Sequence, residues 1–229
     1  MPKLYIVATP IGNLEDITLR ALRILREVNF ILCEDTRVAK KLFSRYEIKT
    51  PYISYHQHSK GGRINKILTL LKEGRDLALI TDAGTPGISD PGNELIAQVV
   101  EHFGSQVDIL AVPGPSAVTT ALSVCGFPTS EFLFLGFLPH KKGRQTMLAE
   151  ITNSKHTVVV YESCHRIEKF LQELYTTNKE ASIVVGRELT KMFESIYRGK
   201  PKEVLDLFKT DKNYLKGEFV VIVSNKSRN

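Results

Sequence analysis

The stretch DLALITDAGTPGISDPG, residues 76–92, decides how this chain is read. Its first six residues are a short apolar run, the signature of a buried strand. A helical pattern follows over about 92–103. Between them lies TDAGTPGISDPG, 81–92. Loops at the carboxyl ends of strands in open α/β sheets are where ligands bind. Gly84, Gly87 and Gly92 let the backbone approach a guest, Pro86 and Pro91 stiffen the loop, and Asp82 adds a carboxylate. The plain alternative is a rigid turn with no guest.

The same strand–helix alternation extends in both directions. LYIVA (4–8), FILCE (30–34), YISY (52–55) and VDILAV (107–112) read as strands. Leu19, Leu22, Leu25 and Val28, then 36–45, then Ile64, Ile67, Leu68 and Leu71 read as helices. Such repetition predicts a mostly parallel α/β sheet. A break at VPGPSA (112–117) divides the chain into expected domains 1–114 and 115–229. Beyond it come a helix (116–125), the strand FLFLG, a basic loop, a further helix and the strand TVVVY (157–161). Ile167, Phe170, Leu171 and Leu174 then mark an amphipathic helix. SIVVGR (182–187) and MFESIYRG (192–199) are spaced to form an antiparallel hairpin, and EFVVIVS (218–224) closes the chain. The fold class is therefore α/β, with a mixed sheet in the second domain.

Of 229 residues, 42% are hydrophobic and 24% charged, which excludes a disordered chain and a collagen-like repeat. Cys33, Cys125 and Cys164 show no CxxC spacing, so neither a disulfide scaffold nor a zinc cage is expected. The cysteine usage fits a reducing cytoplasm. Pro10 and Gly12 interrupt the N-terminal apolar run, so no secretory signal is expected, and no run approaches the length of a membrane span. The formal charge is +6. Residues 1–115 hold fourteen basic and thirteen acidic side chains; 116–229 hold seventeen and twelve. The second half owns the excess, which suits an anionic partner such as RNA or simply a solvated surface.

Familiar motifs are absent. Neither GxGxxG nor GxxxxGK[ST] occurs, no HExxH-type pattern offers metal ligands, and DAGT lacks the second carboxylate that an aspartic protease or a DxDxT phosphatase requires. Two further loops share the style of 81–92: ATPIGN (8–13) and VPGPSA (112–117). The second opens a helix, whose free N–H groups can hold an oxygen. If their strands are neighbours, the three loops meet around one nucleotide-like ligand.

Taken in order, ATPIGN, CEDTR (33–37), TDAGTPGISDPG, VPGPSA, YESCHR (161–166) and RELTKMFE (187–194) resemble the tetrapyrrole methylase superfamily, and within it the ribosomal RNA branch of cytidine 2′-O-methyltransferases. The likeness runs from about residue 4 to residue 223. It implies two α/β domains, a homodimer, S-adenosylmethionine in the cleft between the domains, and methylation of a cytidine ribose 2′-hydroxyl in the 16S ribosomal RNA of the small ribosomal subunit. Pro10 and Gly12 match the first donor loop; Asp82, Gly84, Thr85, Pro86 and Ile88 the second; Pro113, Ser116 and Ala117 the third. Tyr161, Glu162 and Arg187 to Leu189 match the second domain's side of the pocket. Two departures stand out. Many such proteins continue past the last strand with a helical tail, so a tail contribution to RNA binding is expected to be absent here or supplied otherwise. In YHQHS (55–59), Gln57 and Ser59 replace the usual Glu and Asn.

Alignment of a ribose oxygen behind an electrophilic methyl carbon is the main demand of such chemistry, and a general base adds roughly 10²–10⁴-fold. The carboxylates expected near the attacking hydroxyl are Glu162 and Glu188, with Arg187 and Lys191 as polarising cations. Glu34, Asp35 and His165 are further candidates. The plain alternatives are a helix cap at Asp35 or Thr36, another at Ser163, and an ion-pair cluster of Arg187, Glu188 and Lys191. Lys40, Lys41, Lys141, Lys142 and Arg144 are the expected phosphate contacts; solubility is their bland reading. A tetrapyrrole methylase acting on a corrinoid, and a ribosome-binding module without turnover, are the rival functions.

Overall fold

The structure, a computed structural model, describes residues 1–55, 61–90 and 92–225. The segment 56–59, whose departure from the family was noted above, lies outside the described residues. The chain divides into two compact units, Met1–Ser116 and Ala117–Asn229.

The first unit is built on β1 (Lys3–Val7), β2 (Phe30–Cys33), β3 (Tyr52–Ser54), β4 (Leu77–Leu79) and β5 (Asp108–Val112). All pairings are parallel, in the order β3-β2-β4-β1-β5. Side chains alternate between faces, and both faces are covered. Val7, Ile31, Cys33, Ala78 and Val112 join residues of α1 (Leu19–Glu27) and α2 (Thr36–Arg45) in one core. Leu4, Ile6, Leu32, Leu77 and Leu79 join α3 (Gly61–Lys72) and α4 (Gly92–Phe103) in the other. Thr18 Oγ1 accepts from Ala21 N–H at 3.0 Å and starts α1. Asp35 Oδ1 accepts from Arg37 N–H at 2.7 Å and starts α2, so the capping role of Asp35 holds. From β1 the chain moves one way to β2 and β3; from β4 it moves the other way to β5. The topological switch therefore falls between the neighbours β4 and β1, where such sheets bind ligands.

The second unit holds β6 (Phe132–Phe137), β7 (Thr157–Ser163), β8 (Ser182–Arg187), β9 (Ser195–Gly199) and β10 (Glu218–Ser224), in the order β6-β7-β10-β8-β9. Only β6–β7 is parallel, so the sheet is mixed. Val158, Val160, Ile183, Val185, Phe219 and Val221 pack with α6 (Arg144–Asn153), α7 (Ile167–Thr177) and α8 (Pro201–Thr210) on one face. Helix α5 (Ala117–Cys125) packs against β10. The expected hairpin forms, but β9 starts at Ser195 rather than Met192, and Met192 and Phe193 stand in solvent. Helix α8 was not read from the sequence, although Pro201 opens it and Val204, Leu205 and Phe208 bury its inner face.

Candidate functional site

Backbone chemistry brings the glycine- and proline-rich loops of the first unit together. Thr9 and Gly84 exchange N–H···O bonds of 2.9 and 3.0 Å, an antiparallel bridge across the switch point. Thr9 Oγ1 donates to Thr81 C=O at 3.0 Å, Ala8 N–H to Val112 C=O at 3.2 Å, and Thr85 Oγ1 to Pro115 C=O at 3.3 Å. Gly84 has φ +83°, a conformation that costs a side chain about 1–2 kcal/mol. At Gly114 an added Cβ would lie 3.1 Å from the Ala8 methyl, so a side chain there would push the third loop a few tenths of an ångström off the first. The loops carrying Pro10, Gly12, Asp82, Gly84, Thr85, Pro86, Ile88, Pro113 and Ser116 thus form one group. Ala117, at the start of α5, opens the other unit. Pro10, Gly84 and Pro86 are buried as framework, whereas Gly12, Asp82, Pro113 and Ile88 are exposed.

The CEDTR segment joins this group through its carboxylates. Asp35 N–H donates to Asp82 Oδ1 at 3.0 Å, and Thr81 Oγ1 donates to Glu34 Oε2 at 3.1 Å. Asp90, a residue that the sequence reading passed over, also hydrogen-bonds Thr81. Burial, with the charges of Glu34 and Asp82, pushes the Asp90 carboxyl up to about 6, while its bond to Thr81 pulls the other way. Burial and the nearby Asp82 and Asp35 likewise raise the Cys33 thiol to about 11, which keeps it protonated. Asp35 is held down to about 2 by hydrogen bonds from Arg37. Among the described residues Glu34, Asp82 and Asp90 have no ion-pair partner. Among the described residues the strand-end carboxylates Glu34, Asp35, Asp82 and Asp90 outnumber the cation acting on them, Arg37, and the loop that carries Asp82 also exposes apolar Ile88. Such a site repels phosphates and favours a cation with an apolar body. No group of three or more His, Cys, Asp or Glu among the described residues is arranged to hold a metal ion.

The second unit treats its expected catalytic residues differently. Register pairs Phe219 with Glu162 on one side and with Arg187 on the other. Paired residues share a face, and Phe219 belongs to the core under α6–α8. Glu162 therefore points inward: its side chain has no exposed surface, with Arg166 Nε at 2.8 Å and Arg144 at 3.8 Å. Its Oε1 also accepts from Ser163 N–H at 2.9 Å. Burial raises its carboxyl against the opposing pull of these partners. Glu162, expected near a ribose hydroxyl, is thus enclosed in the core of its own unit. The Arg187 guanidinium donates to the carbonyls of Lys216, Phe193 and Asn213 at 2.7, 3.2 and 3.0 Å and so braces loops.

Arg144 departs from its expected role. Gly143, at φ +86°, turns the chain so that Arg144 enters α6 facing inward. It is 3% exposed, grips Glu173 with bonds of 2.6–3.1 Å and donates to Pro139 C=O. It meets no solvent phosphate. Its loop neighbours Lys141 and Lys142 are exposed, as are Lys40 and Lys41. Ser163 does not cap α7; its hydroxyl instead accepts from Arg166 Nε at 3.3 Å.

Glu188 and Lys191 do form the ion-pair cluster. Lys191 Nζ lies 2.9 Å from Glu188 and 2.8 Å from Glu218. Burial acts to raise the Glu188 carboxyl, but hydrogen bonds from Lys191 and Glu218 N–H and the charges of Lys191 and Arg187 outweigh it, and the net shift is downward. Glu188 (φ +51°) and Thr190 (φ +66°) both adopt left-handed backbone, with buried Leu189 between them. Strain of this kind clusters at ligand sites and switches. Tyr161 points to the opposite face from Glu162, with its ring 5.0 Å from Phe134 and 5.3 Å from Phe137.

Comparison with known proteins gives this geometry its context. The model of the tetrapyrrole (corrin/porphyrin) methylases matches residues 3–205. Ribosomal RNA small subunit methyltransferase I of Thermotoga maritima is 44% identical over 226 residues, covering 99% of this chain and 100% of that protein. Solved structures share the fold. A cobalt precorrin-4 methyltransferase superposes with a TM-score of 0.71 at 20% identity, covering 97% of this chain and 94% of that one. The uroporphyrin-III C-methyl transferase of Thermus thermophilus complexed with S-adenyl homocysteine gives 0.66 at 17% identity, covering 97% of each. The chain belongs to the tetrapyrrole methylases and, within them, to the ribosomal RNA small subunit methyltransferase I family.

Proposed function

We propose that the protein transfers a methyl group from S-adenosylmethionine to the ribose 2′-hydroxyl of a cytidine in 16S ribosomal RNA, as a cytoplasmic homodimer. The observation that carries this reading is the convergence of the first unit's loops around Glu34, Asp82 and Asp90, none of which has an ion-pair partner among the described residues. When bound, the donor supplies a methyl carbon made electrophilic by a sulfonium. A sulfonium is a cation with an apolar body, and the loop set suits it. Gly12, Gly84, Thr85, Pro113 and Ser116 would hold the donor by backbone and hydroxyl groups, Ile88 by apolar contact, and Asp82 by charge. Tyr161 and Leu189 of the second unit are proposed as further contacts.

The chain's own task is to place the hydroxyl and accept its proton. A carboxyl near neutrality is matched to proton acceptance at cellular pH, and Asp90 has that affinity. Glu188, held below the ordinary range, is the weaker acceptor and serves with Lys191 to fix the 187–191 loop. Calorimetry with S-adenosylhomocysteine tests the donor site. Transfer of labelled methyl to small subunits lacking the modification, followed by mass mapping of the RNA, tests the acceptor. Binding of the product together with a 2′-O-methylcytidine in the mapped RNA is expected. Methylation of a base, or label appearing only on a corrinoid, overturns the reading.

A further inference from the structure

The first unit carries a second concavity that the donor loops do not use. It lies at the far end of α2 from Asp35, about 15 Å along a ten-residue helix. Lys40, Phe43, Ser44 and Glu47, spaced i, i+3, i+4 and i+7, supply one wall; Lys49 and Tyr52 supply the other. The volume is about 510 Å³. That is within the range of roughly 300–1,000 Å³ typical of small-ligand sites.

Its chemistry is graded. The floor is apolar, with Phe43 and Ile48 buried. The Tyr52 ring, 36% exposed, stands 5.3 Å from Phe43 and offers a free face at the sheet edge. Lys40 and Lys49 flank it and make no hydrogen bond or ion pair with any described residue. Glu47 is fixed where the chain leaves α2, at φ +54°, with Ile48 N–H bonded to Phe43 C=O at 2.9 Å. An aromatic platform between two unpaired ammonium groups, with a carboxylate at its rim, matches an unpaired base and its phosphates. A carboxylate also accepts from an exocyclic amine. A small guest held by the donor loops does not span the length of α2, whereas a polynucleotide does.

We propose that this groove binds an unpaired, amino-bearing nucleotide of the ribosomal RNA substrate, stacked on Tyr52 with its flanking phosphates on Lys40 and Lys49. The inference rests on the RNA reading above and adds a docking point remote from the reacting atoms.

Filter binding of protein-free 16S ribosomal RNA across a salt series tests it. Lys40→Gln with Lys49→Gln is expected to lower affinity about tenfold and to flatten the salt slope by about 1.4, the value for two phosphates on a single strand. Tyr52→Ala is expected to lower affinity about tenfold at every salt concentration with the slope intact, while Tyr52→Phe restores it. The affinity for S-adenosylhomocysteine, measured in parallel, stays at the wild-type value and shows that each variant is folded. Wild-type affinity and slope in the lysine variant overturn the groove and leave the proposed methyl transfer standing. A loss seen only with assembled subunits, and not with protein-free RNA, assigns the groove to a ribosomal protein and overturns it too. A wild-type chain that binds small subunits but no protein-free RNA overturns the groove alone, and one that binds neither overturns the groove and the proposed function together.

Discussion

The two units place carboxylates at strand ends and then treat them in opposite ways. In the first, Glu34, Asp82 and Asp90 share threonine hydroxyls and backbone N–H groups but have no ion-pair partner among the described residues. Burial first, and the charges of Glu34 and Asp82 after it, lift Asp90 toward neutrality. In the second, Glu162 sits against Arg166 and near Arg144, and Glu188 shares Lys191 with Glu218. Glu188, held low by Lys191, is spent on holding its loop, whereas Glu162 keeps one buried oxygen without a hydrogen-bond partner among the described residues and a carboxyl raised by burial. A carboxylate left against its own kind has affinity to spare for a cation or a proton.

Breaking the second arrangement is expected to give the largest effect. Arg144→Ala takes from Glu173 its main partner and from Glu162 the farther of its two cations in a largely closed interior, where removing one member of an ion pair costs about 3–5 kcal/mol. Urea denaturation measures this; a cost below 1 kcal/mol would mean that the cluster is idle. Next comes Asp90→Asn. Removal of a general base is expected to slow methyl transfer at saturating donor about 10²-fold or more. The same change acts on stability with a definite sign. The folded carboxyl titrates at about 6 rather than 3.8, so ionising it opposes folding. Well below pH 3.8 the group is neutral in both states and the variant gains nothing; as pH rises from 3.8 through 6 the wild type loses ground, and the difference levels off above. At pH 7.5 the variant is expected to be more stable by about 1–2 kcal/mol, discounted for the water that reaches a half-buried group. Denaturation midpoints at pH 3.5 and 7.5 read it, and an equal gap at both values refutes the repulsion. Gly84→Ala is expected to cost about 1–2 kcal/mol, because φ +83° is unfavourable to a side chain, and to weaken S-adenosylhomocysteine binding about tenfold.

Much of this contrast could be read in the sequence where it is local. Strand–helix alternation, the three proline-stiffened loops and the cap at Asp35 all rest on neighbours a few residues apart. What escaped depends on partners far along the chain. In TVVVYES the alternation says that Tyr161 and Glu162 face opposite ways, yet only the register with Phe219 on β10 says which of them faces the helices. Arg187 shares that register, so its facing too is set by β10. Asp90 looked like an ordinary loop aspartate, because the groups that raise its proton affinity lie at the ends of β2 and β4. Arg144 looked like the last cation of a basic run until Gly143 turned it under the surface.

That turn leaves the HKKGR loop divided between two roles, and the division sets up the smallest effect on stability. Lys141 and Lys142 are exposed, and neither makes an ion pair among the described residues. Replacing both by Gln is expected to change the denaturation midpoint by no more than an ordinary surface substitution, within about 0.5 kcal/mol. If these lysines meet phosphates, the logarithmic salt slope for RNA binding should flatten by about 1.4, and affinity should fall alike for every sequence tried, because backbone contacts carry no sequence information. The comparison with Arg144→Ala then separates the halves of one loop: a variant that unfolds more easily at an unchanged salt slope, against one that folds as before with a flatter slope. A double lysine variant with both properties unchanged would make the loop's positive charge a matter of solubility and would leave α2, with Lys40 and Lys41, as the basic surface still to be tried.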